Sequence, residues 1–211
     1  GKVFLHDAFG RYMKNEFHIK RINGQLHVYD QGIYKSGYRF IEHKMIELIP
    51  ALKANSRTEV LKFLEIITPE ETYVSDANLI AFRNGVYDLS TDTLLPFSPA
   101  HIITNMIPWD FNTSAYSELC ENTLNKISCH DPEIRSLLEE CVGYCFFRQN
   151  ELSKSFILTG SGSNGKSTFL DMVRNVLGRQ NYVSLDMDEL SERFSVTTMF
   201  GKLANIGDDI S

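Results

Sequence analysis

Long apolar runs and the features of a secreted chain are absent from this sequence of 211 residues. No segment approaches the roughly 20 apolar residues that a membrane-spanning helix needs. The first residues also lack the basic and then apolar layout of a signal peptide. The sequence thus gives no sign of membrane insertion or export. Its 43% content of hydrophobic residues supports a buried core, in one large domain or two small ones.

Cysteine is scarce as well, and its spacing fits no common cysteine-based site. The four cysteines contain no C-x-x-C pair and are too few for a disulfide scaffold, which is typical of a reducing, intracellular environment. Cys129 and His130 are neighbours, but no common zinc site has this spacing. Cys141 and Cys145 fall in an apolar helix stripe, so packing explains them without any chemistry.

Positive charge is in the minority, and it is unevenly spread. The net charge is -6. Residues 1–62 carry 11 Lys and Arg against 6 Asp and Glu, whereas residues 63–211 carry 10 against 21. Because Lys and Arg neutralise phosphates in sequence-independent nucleic-acid binding, the basic end is a candidate for such contacts. A solvated surface with scattered charge explains the same residues equally well.

The first part of the chain alternates between strand and helix patterns. Residues 25–40 alternate apolar and polar side chains between glycine turns, which predicts short antiparallel strands. Apolar residues at helical spacing predict one helix over 41–53, disturbed by Pro50, and another over 58–67. The fold class expected here is therefore an α+β N-terminal domain with a helical segment.

A hairpin is the clearest local signal that follows. Asn84-Gly85 lies between two apolar runs and predicts a type I′ turn, in which both central residues need positive φ. Pro96, Pro99 and Pro108 then break the chain into loops.

Two helices are predicted next, the second with strong end signals. The first covers about 114–127. Asp131 can cap the second helix, Pro132 suits its first position, and Glu133 favours the positive end of its dipole. Its apolar stripe is Ile134, Leu137, Leu138, Cys141, Val142 and Cys145. A polar stretch at 148–151 then predicts a domain boundary, with one domain over 1–150 and the beginning of a second over 151–211.

The stretch GSGSNGKST, Gly160 to Thr168, fits the phosphate-binding loop pattern G-x-x-x-x-G-K-[ST]. Phe156-Ile157-Leu158 before it predicts a strand buried on both faces of a parallel sheet. An amphipathic helix after it ends at Gly178. Strand, glycine loop and helix together form the context that this motif requires.

Each residue type in the loop has a chemical reason. Glycines allow the backbone to approach phosphates closely and to turn successive N–H groups toward them, and the helix that begins near Lys166 adds its positive dipole end. Lys166 is expected to reach the β- and γ-phosphates of ATP, and the Ser167 hydroxyl to bind Mg²⁺. The predicted nucleotide-binding residues are Gly160, Gly162, Ser163, Asn164, Gly165, Lys166, Ser167 and Thr168.

Two adjacent acids, Asp208 and Asp209, follow the apolar segment Leu203 to Gly207. One carboxylate can hold Mg²⁺ and the next can orient or deprotonate the attacking water, which favours hydrolysis over transfer to a small molecule. The catalytic residues predicted are thus Lys166, Asp208 and Asp209, and the metal ligands are Ser167 and Asp208. Acids in a solvated loop after a strand are the alternative.

These motifs resemble the superfamily III helicases of phage and plasmid primase-helicases. The resemblance rests on GSGSNGKST, on the close-spaced GDD, and on the upstream block FRNGVYDLSTDTLLPFSPAHIITN, which is similar to the domain named after the poxvirus primase-helicase. It implies an AAA+-type α/β P-loop core and an ATP-dependent DNA helicase that assembles as a hexameric ring around single-stranded or forked DNA. A primase domain or protein is a further partner, and the cytoplasm of a bacterial host is the expected setting.

The resemblance also implies that several motifs of the family are not contained in these 211 residues. The family's third motif, DNA-contacting hairpin and arginine finger are expected beyond Ser211, so the sequence is interpreted as a fragment truncated after the second motif. Family members often have Glu at the position of Asp209. The isolated fragment is therefore expected to bind nucleotide weakly and to hydrolyse it poorly.

Two alternatives remain open. A small-molecule kinase shares the loop, although the paired acids and the large N-terminal region argue against it. A binding module is the other alternative, in which residues 1–150 recruit DNA, a primase or neighbouring subunits. The aromatics Tyr29, Tyr34, Tyr38 and Phe40 suit a nucleic-acid surface, but aromatics at strand spacing more often belong to a core.

Overall fold

A computed structural model of the protein describes residues 4–71, 76–162, 164–191 and 198–207. The chain divides into two compact units. The first contains Gly1–Ser75 and Phe97–Thr104, and the second contains Asp76–Pro96 and Asn105–Ser211. Helices and small sheets are present in both, which confirms the α+β class at this coarse level.

The first unit combines one antiparallel sheet with three helices. Its elements are α1 (His6–Glu16), β1 (Lys20–Ile22), β2 (Gln25–Asp30), β3 (Ile33–Ser36), α2 (Tyr38–Leu48) and α3 (Ala54–Ile67). The strands lie in the order β1-β2-β3, which confirms the antiparallel strands predicted within 25–40. The two predicted helices are also confirmed, and α2 ends at Leu48, two residues before Pro50.

The core of the first unit is formed mainly by side chains that the helices and sheet bury between them. Met13 from α1, Met45 from α2 and Leu64 from α3 are fully buried together. Tyr34 is fully buried as well, and its hydroxyl donates a 2.7 Å hydrogen bond to the backbone oxygen of Pro99. This bond ties the 97–104 segment to β3.

The described part of the second unit contains helices, a three-stranded antiparallel sheet and a two-stranded parallel sheet. Its elements are β4 (Leu79–Phe82), β5 (Gly85–Asp88), β6 (Thr93–Leu95), α4 (Glu118–Ile127), α5 (Pro132–Phe146), α6 (Lys166–Leu177), β7 (Tyr182–Val183), α7 (Met187–Ser191) and β8 (Ala204–Asn205). Strands β4-β5-β6 are antiparallel neighbours, and β7 pairs with β8 in parallel.

The predicted hairpin is confirmed, but its turn lies one residue earlier than the sequence suggested. Phe82 pairs with Gly85, so the two loop residues are Arg83 and Asn84. Among the described residues, those with positive φ do not include either of them, so the type I′ prediction is wrong. The physical reason is a long-range contact, because the Asn84 side chain pairs with the backbone of Phe111.

The end signals predicted for the second of the two middle helices are confirmed, and the first helix has a cap that was not predicted. Ser117 caps α4 by accepting a hydrogen bond from the Cys120 backbone N–H, and Asp131 caps α5 through the N–H groups of Glu133 and Ile134. The first helix is shorter than predicted and begins at Glu118. The predicted apolar stripe of α5 is only partly buried, because Ile134 and Leu137 remain 47% and 53% exposed.

The strand predicted at Phe156-Ile157-Leu158 is not formed. These residues belong to none of the three sheets, and Ile157 is 67% exposed. An apolar run becomes a buried strand only where neighbouring strands pair with it on both sides. The parallel sheet in the described part of the chain consists of β7 and β8 alone, and it does not include this segment.

The hydrophobic core of the second unit draws on segments before and after residue 150. Ile80 and Leu138 lie in the same buried cluster as Phe169, Val173 and Leu177 from α6. The boundary near residue 150 stays a prediction about domains, but the side chains on its two sides pack together in this unit.

Candidate functional site

The glycine loop leads directly into the N-terminus of α6. Gly165 is the residue immediately before this helix and has φ +88°, while Gly162 has φ +97°. Both values lie in the left-handed region, which glycine enters at no steric cost. The loop conformation therefore depends on glycine at these two positions.

The Lys166 side chain bonds to two other residues of the glycine loop. Its ammonium donates hydrogen bonds to the backbone oxygen of Gly160, at 3.1 Å, and to Oδ1 of Asn164, at 3.0 Å. Asn164 in turn covers Gly160, because a Cβ built on Gly160 would lie 1.7 Å from the Asn164 Nδ2 atom. The structure thus brings three of the predicted binding residues, Gly160, Asn164 and Lys166, into contact with one another.

The first turn of α6 carries backbone N–H groups that make no hydrogen bond within the helix. The first hydrogen bond of the helix runs from Phe169 N–H to the Gly165 oxygen at 2.9 Å. The preceding N–H groups, of residues 166–168, have no partner within a helix, and Gly165 has no side chain that caps them. Ser167 and Thr168 are both exposed in this turn. Such a helix end attracts anions through its free N–H groups and its dipole.

The body of α6 is held firmly in the core. Phe169, Val173 and Leu177 are buried along one face, as the sequence predicted, whereas Val176 is 38% exposed. The helix ends at Gly178, which has φ +80°. The position of the loop is thus fixed by a helix with a buried face.

Residues of the loop before α4 contact the far end of α6. The Trp109 Nε1 group donates to the Asn175 oxygen at 2.9 Å. Asn181 is 3% exposed, and its amide nitrogen donates to the oxygens of Met106 and Leu177, each at 2.7 Å. No motif in the sequence indicated these contacts, because they join residues that lie 66 and 75 positions apart.

The strand before the predicted acids is confirmed. β8 pairs with β7, and Ile206 N–H extends the pairing with a 2.8 Å bond to the Val183 oxygen. Asn205 seemed out of place in this strand by sequence, but its side chain bonds to both backbone groups of Leu185, at 2.8 Å and 3.0 Å. Arg174 on α6 donates to the Ile206 oxygen at 3.3 Å. These bonds hold the end of β8 beside α6.

Three predicted site residues, Ser163, Asp208 and Asp209, lie outside the described residues. The remaining ones fit an anionic ligand such as a nucleotide phosphate, because a lysine ammonium, a glycine loop and a helix N-terminus converge. Over residues 4–71, 76–162, 164–191 and 198–207, no group of three or more His, Cys, Asp or Glu side chains could hold a metal ion. Ser167 therefore offers one hydroxyl ligand, and the predicted acids would have to supply the rest.

Two cysteines, Cys141 and Cys145, pack against the core of the second unit. Burial raises the pKa of the Cys145 thiol to about 11, and burial also raises the pKa of Cys141. All four cysteines are free thiols, and Cys129 is the exposed one. Packing of Cys141 and Cys145, as the sequence indicated, is thus confirmed.

The candidate aromatics divide into two pairs. Tyr34 is fully buried and Tyr29 packs against it with ring centroids 5.3 Å apart, as expected for a core. Tyr38 and Phe40 are instead 50% and 45% exposed at the start of α2. In the described part of the chain, no helix is long and apolar enough to cross a membrane.

Comparison with protein families matches two separate segments of the chain to two different families. Residues 5–142 match the family described as D5 N terminal like. Residues 158–211, which contain the glycine loop, match a family of unknown function, DUF5906.

Curated relatives come from viruses of eukaryotes. "Putative helicase 121R" of Invertebrate iridescent virus 3 is 27% identical over 178 residues, which are 80% of this chain and 18% of that protein. "Putative helicase 184R" of Invertebrate iridescent virus 6 is 35% identical over 107 residues, 48% of this chain and 11% of the relative. "Putative helicase L207/L206" of Acanthamoeba polyphaga mimivirus is 29% identical over 122 residues, 56% and 12% of the two chains.

These relatives correct the expected host and limit how far their names can describe this chain. Their sources do not support the predicted bacterial host or a phage origin. The chain spans only 11% to 18% of their length, so their names describe proteins several times longer than this chain.

Proposed function

This chain belongs to the D5 N-terminal-like family, and on that premise we propose that it is part of an ATP-dependent DNA helicase. Its role in that helicase is to join the N-terminal domain to the start of the ATP-binding core. The observation that carries the proposal is the glycine loop, which ends at the free N-terminus of α6 with the Lys166 ammonium bonded across it. The helicase names of the relatives support the same reading.

The loop, the first turn of α6 and Lys166 together bind the phosphates of ATP. The loop glycines and the first N–H groups of α6 surround the phosphates, and Ser163, Asn164 and Thr168 complete the loop. Lys166 exchanges its bonds to Gly160 and Asn164 for bonds to phosphate oxygens. This exchange releases the loop from its closed arrangement at no loss of hydrogen bonds to the ammonium.

Mg²⁺ and the acids belong to the same proposal. Mg²⁺ supplies neutralisation of charge on the phosphates, and Ser167 with Asp208 are the residues that would hold it. Asp209 orients or deprotonates the attacking water. The bonds from Asn205 to Leu185 and from Arg174 to the Ile206 oxygen support this, because they fix the strand that precedes the acids.

The finer family assignment is proposed on the resemblance of the motifs. It comprises a superfamily III helicase with an AAA+-type P-loop core, assembly as a hexameric ring on single-stranded or forked DNA, and a primase domain or protein as a partner. The ring would supply an arginine from a neighbouring subunit. The 211-residue chain alone is therefore expected to show little ATP turnover.

DNA-stimulated ATP hydrolysis by the longer protein is the test of this function. We expect ATP hydrolysis to rise when single-stranded or forked DNA is added, and to disappear in both conditions in a Lys166→Ala variant. A small-molecule kinase would also lose activity in that variant, but DNA would not stimulate it. Hydrolysis that is unchanged by DNA would therefore contradict the helicase proposal.

A nucleic-acid contact in the first unit is a second candidate function, supported by the exposure of Tyr38 and Phe40. Exposed Arg39 lies between them in the sequence, and Lys35 lies 5.9 Å from the Phe40 ring centre. Aromatic rings beside cations are suited to stacking with unpaired bases. Fluorescence anisotropy with single-stranded and duplex DNA across a salt series would test it. The absence of salt-sensitive binding would refute it.

A further inference from the structure

The phosphate-loop helix α6 is contacted at both of its ends by residues that precede it in the chain. At its start, the side chain of Ile127 lies against Gly165, and at its end Pro108 lies against Gly178. Neither upstream residue is part of a nucleotide motif. The two contacts raise the question of what fixes the loop in place.

Ile127 occupies the space that a side chain at Gly165 would need. A Cβ built on Gly165 would lie 2.7 Å from Ile127 Cγ1 and 3.2 Å from Cδ1, and the three atoms nearest to it all belong to Ile127. Gly165 is also the residue whose left-handed φ sets the direction of the first turn of α6. The isoleucine therefore contacts the backbone at the hinge between loop and helix.

The far end of α6 is fixed independently. A Cβ built on Gly178 would lie 2.5 Å from Pro108 Cγ, and the adjacent Trp109 donates to the Asn175 oxygen. Contacts thus exist at both ends of α6, and at its start Ile127 lies against Gly165.

We propose that Ile127 is a positioning residue for the phosphate-binding loop. It packs against Gly165 and holds the loop and the first N–H groups of α6 in the conformation that receives phosphates. Helix α4 thus helps to form the nucleotide site. The ligand in this inference rests on the proposed function, whereas the effect on the loop conformation does not.

Hydrogen exchange of the nucleotide-free 211-residue chain tests the inference without any ligand. The variants are Ile127→Ala and, as a matched control, Leu124→Ala, which truncates a buried side chain one turn earlier on α4 in the same core. We expect the Phe169 amide, which bonds to the Gly165 oxygen beside Ile127, to exchange about tenfold faster in Ile127→Ala than in the unmodified chain, relative to amides in the middle of α6. Leu124→Ala should speed up the Phe169 amide and the amides in the middle of α6 alike.

Ile127→Val provides the second variant. It keeps a γ-carbon against Gly165 and removes the δ-carbon, so it should restore most of the slow exchange of the Phe169 amide, and it replaces Ile127→Ala in the test if that variant fails to fold. Equal acceleration of the Phe169 amide and of the amides in the middle of α6 in the Ile127 variants would overturn the proposal, because Ile127 would then be an ordinary core residue.

Titration with a fluorescent ATP analogue and Mg²⁺ adds a readout that separates the two proposals. Where the unmodified chain binds, Ile127→Ala should weaken the affinity several-fold more than Leu124→Ala does, although the loss of thermal stability is no larger. Equal affinities in the two variants would overturn the inference. If the unmodified chain shows no binding, the proposed function fails, and the exchange result still decides the role of Ile127.

Discussion

Asn84 and Phe111 form a reciprocal pair of hydrogen bonds. Asn84 Nδ2 donates to the Phe111 oxygen at 3.0 Å, and Phe111 N–H donates to Asn84 Oδ1 at 2.9 Å. The side chain of a hairpin-loop residue thus pairs with the backbone as a neighbouring strand would. Arg83 continues the pairing by donating its backbone N–H to the Trp109 oxygen at 2.9 Å.

Replacing Asn84 should destabilise the protein more than its exposure suggests. We expect Asn84→Ala to lower the free energy of unfolding by about 1 kcal/mol, since it removes both hydrogen bonds to Phe111. Asn112→Ala is the control, because the side chain of this exposed asparagine accepts a local bond from Ser114 N–H, two residues further on. Denaturant unfolding of both variants provides the measurement. Equal losses in the two would contradict a special role for the Asn84 pair.

A buried amide at Asn181 gives a second prediction. Asn181→Asp should cost at least about 3 kcal/mol at pH 8, because a carboxylate would face two carbonyl oxygens in a buried site. The folded state should raise the pKa of this carboxyl, so the loss should shrink as the pH falls and the protonated group donates again. Unfolding titrations at pH 5 and pH 8 would show this, with Asn181→Ala as a variant that adds no charge. A loss in Asn181→Asp that is independent of pH would be incompatible with the structure.

Substitutions at Gly162 and Gly165, which both have a left-handed φ, distinguish the cost of backbone strain from the cost of a steric clash. A Cβ at Gly162 meets nothing within 4 Å, whereas a Cβ at Gly165 meets Ile127. We expect Gly162→Ala to cost about 1 kcal/mol through its positive φ alone. Gly165→Ala should cost more, and the excess should disappear when Ile127 is also replaced by Ala. A double-mutant cycle by thermal unfolding measures this coupling, and a coupling energy of zero would exclude the contact.

Cysteine reactivity tests the packing of α5. Iodoacetamide at pH 8 should modify exposed Cys129 first and Cys145 last, since burial and the neighbouring Cys141 raise the pKa of Cys145 to about 11 and leave little thiolate. Peptide mass spectrometry over time gives the rates, and the same reaction in denaturant serves as the control. If Cys145 reacted as fast in the folded as in the denatured chain, the buried placement would be wrong.

Local signals predicted much of this fold from the sequence. The Asp131-Pro132 start of α5 and the Gly178 end of α6 were both correct, because caps and turns depend on residues adjacent in the chain. The existence of the β4-β5 hairpin followed in the same way. Its turn type did not, because Asn84 is fixed by Phe111, 27 residues further on.

Long-range packing explains what the sequence did not reveal. The apolar run at 156–158 resembled a buried strand, but the strand state depends on neighbours that the run itself does not contain. The loop residues Gly160, Gly165 and Lys166 followed from the motif, whereas the contact of Ile127 with Gly165 did not. An apolar stripe predicts that a residue is buried, but not which backbone it contacts.

Binding of ATP at the glycine loop is the central claim, and one titration tests it most directly. A fluorescent ATP analogue is added to the unmodified chain, to Lys166→Ala and to Lys202→Ala, with and without Mg²⁺. Lys202 is the matched control, because its ammonium also bonds to a backbone oxygen, that of Gln180, in the same unit. The account predicts saturable, weak binding that Mg²⁺ strengthens in the unmodified chain and in Lys202→Ala, and that is at least about tenfold weaker in Lys166→Ala. Equal binding by all three proteins, or binding by none, would contradict it.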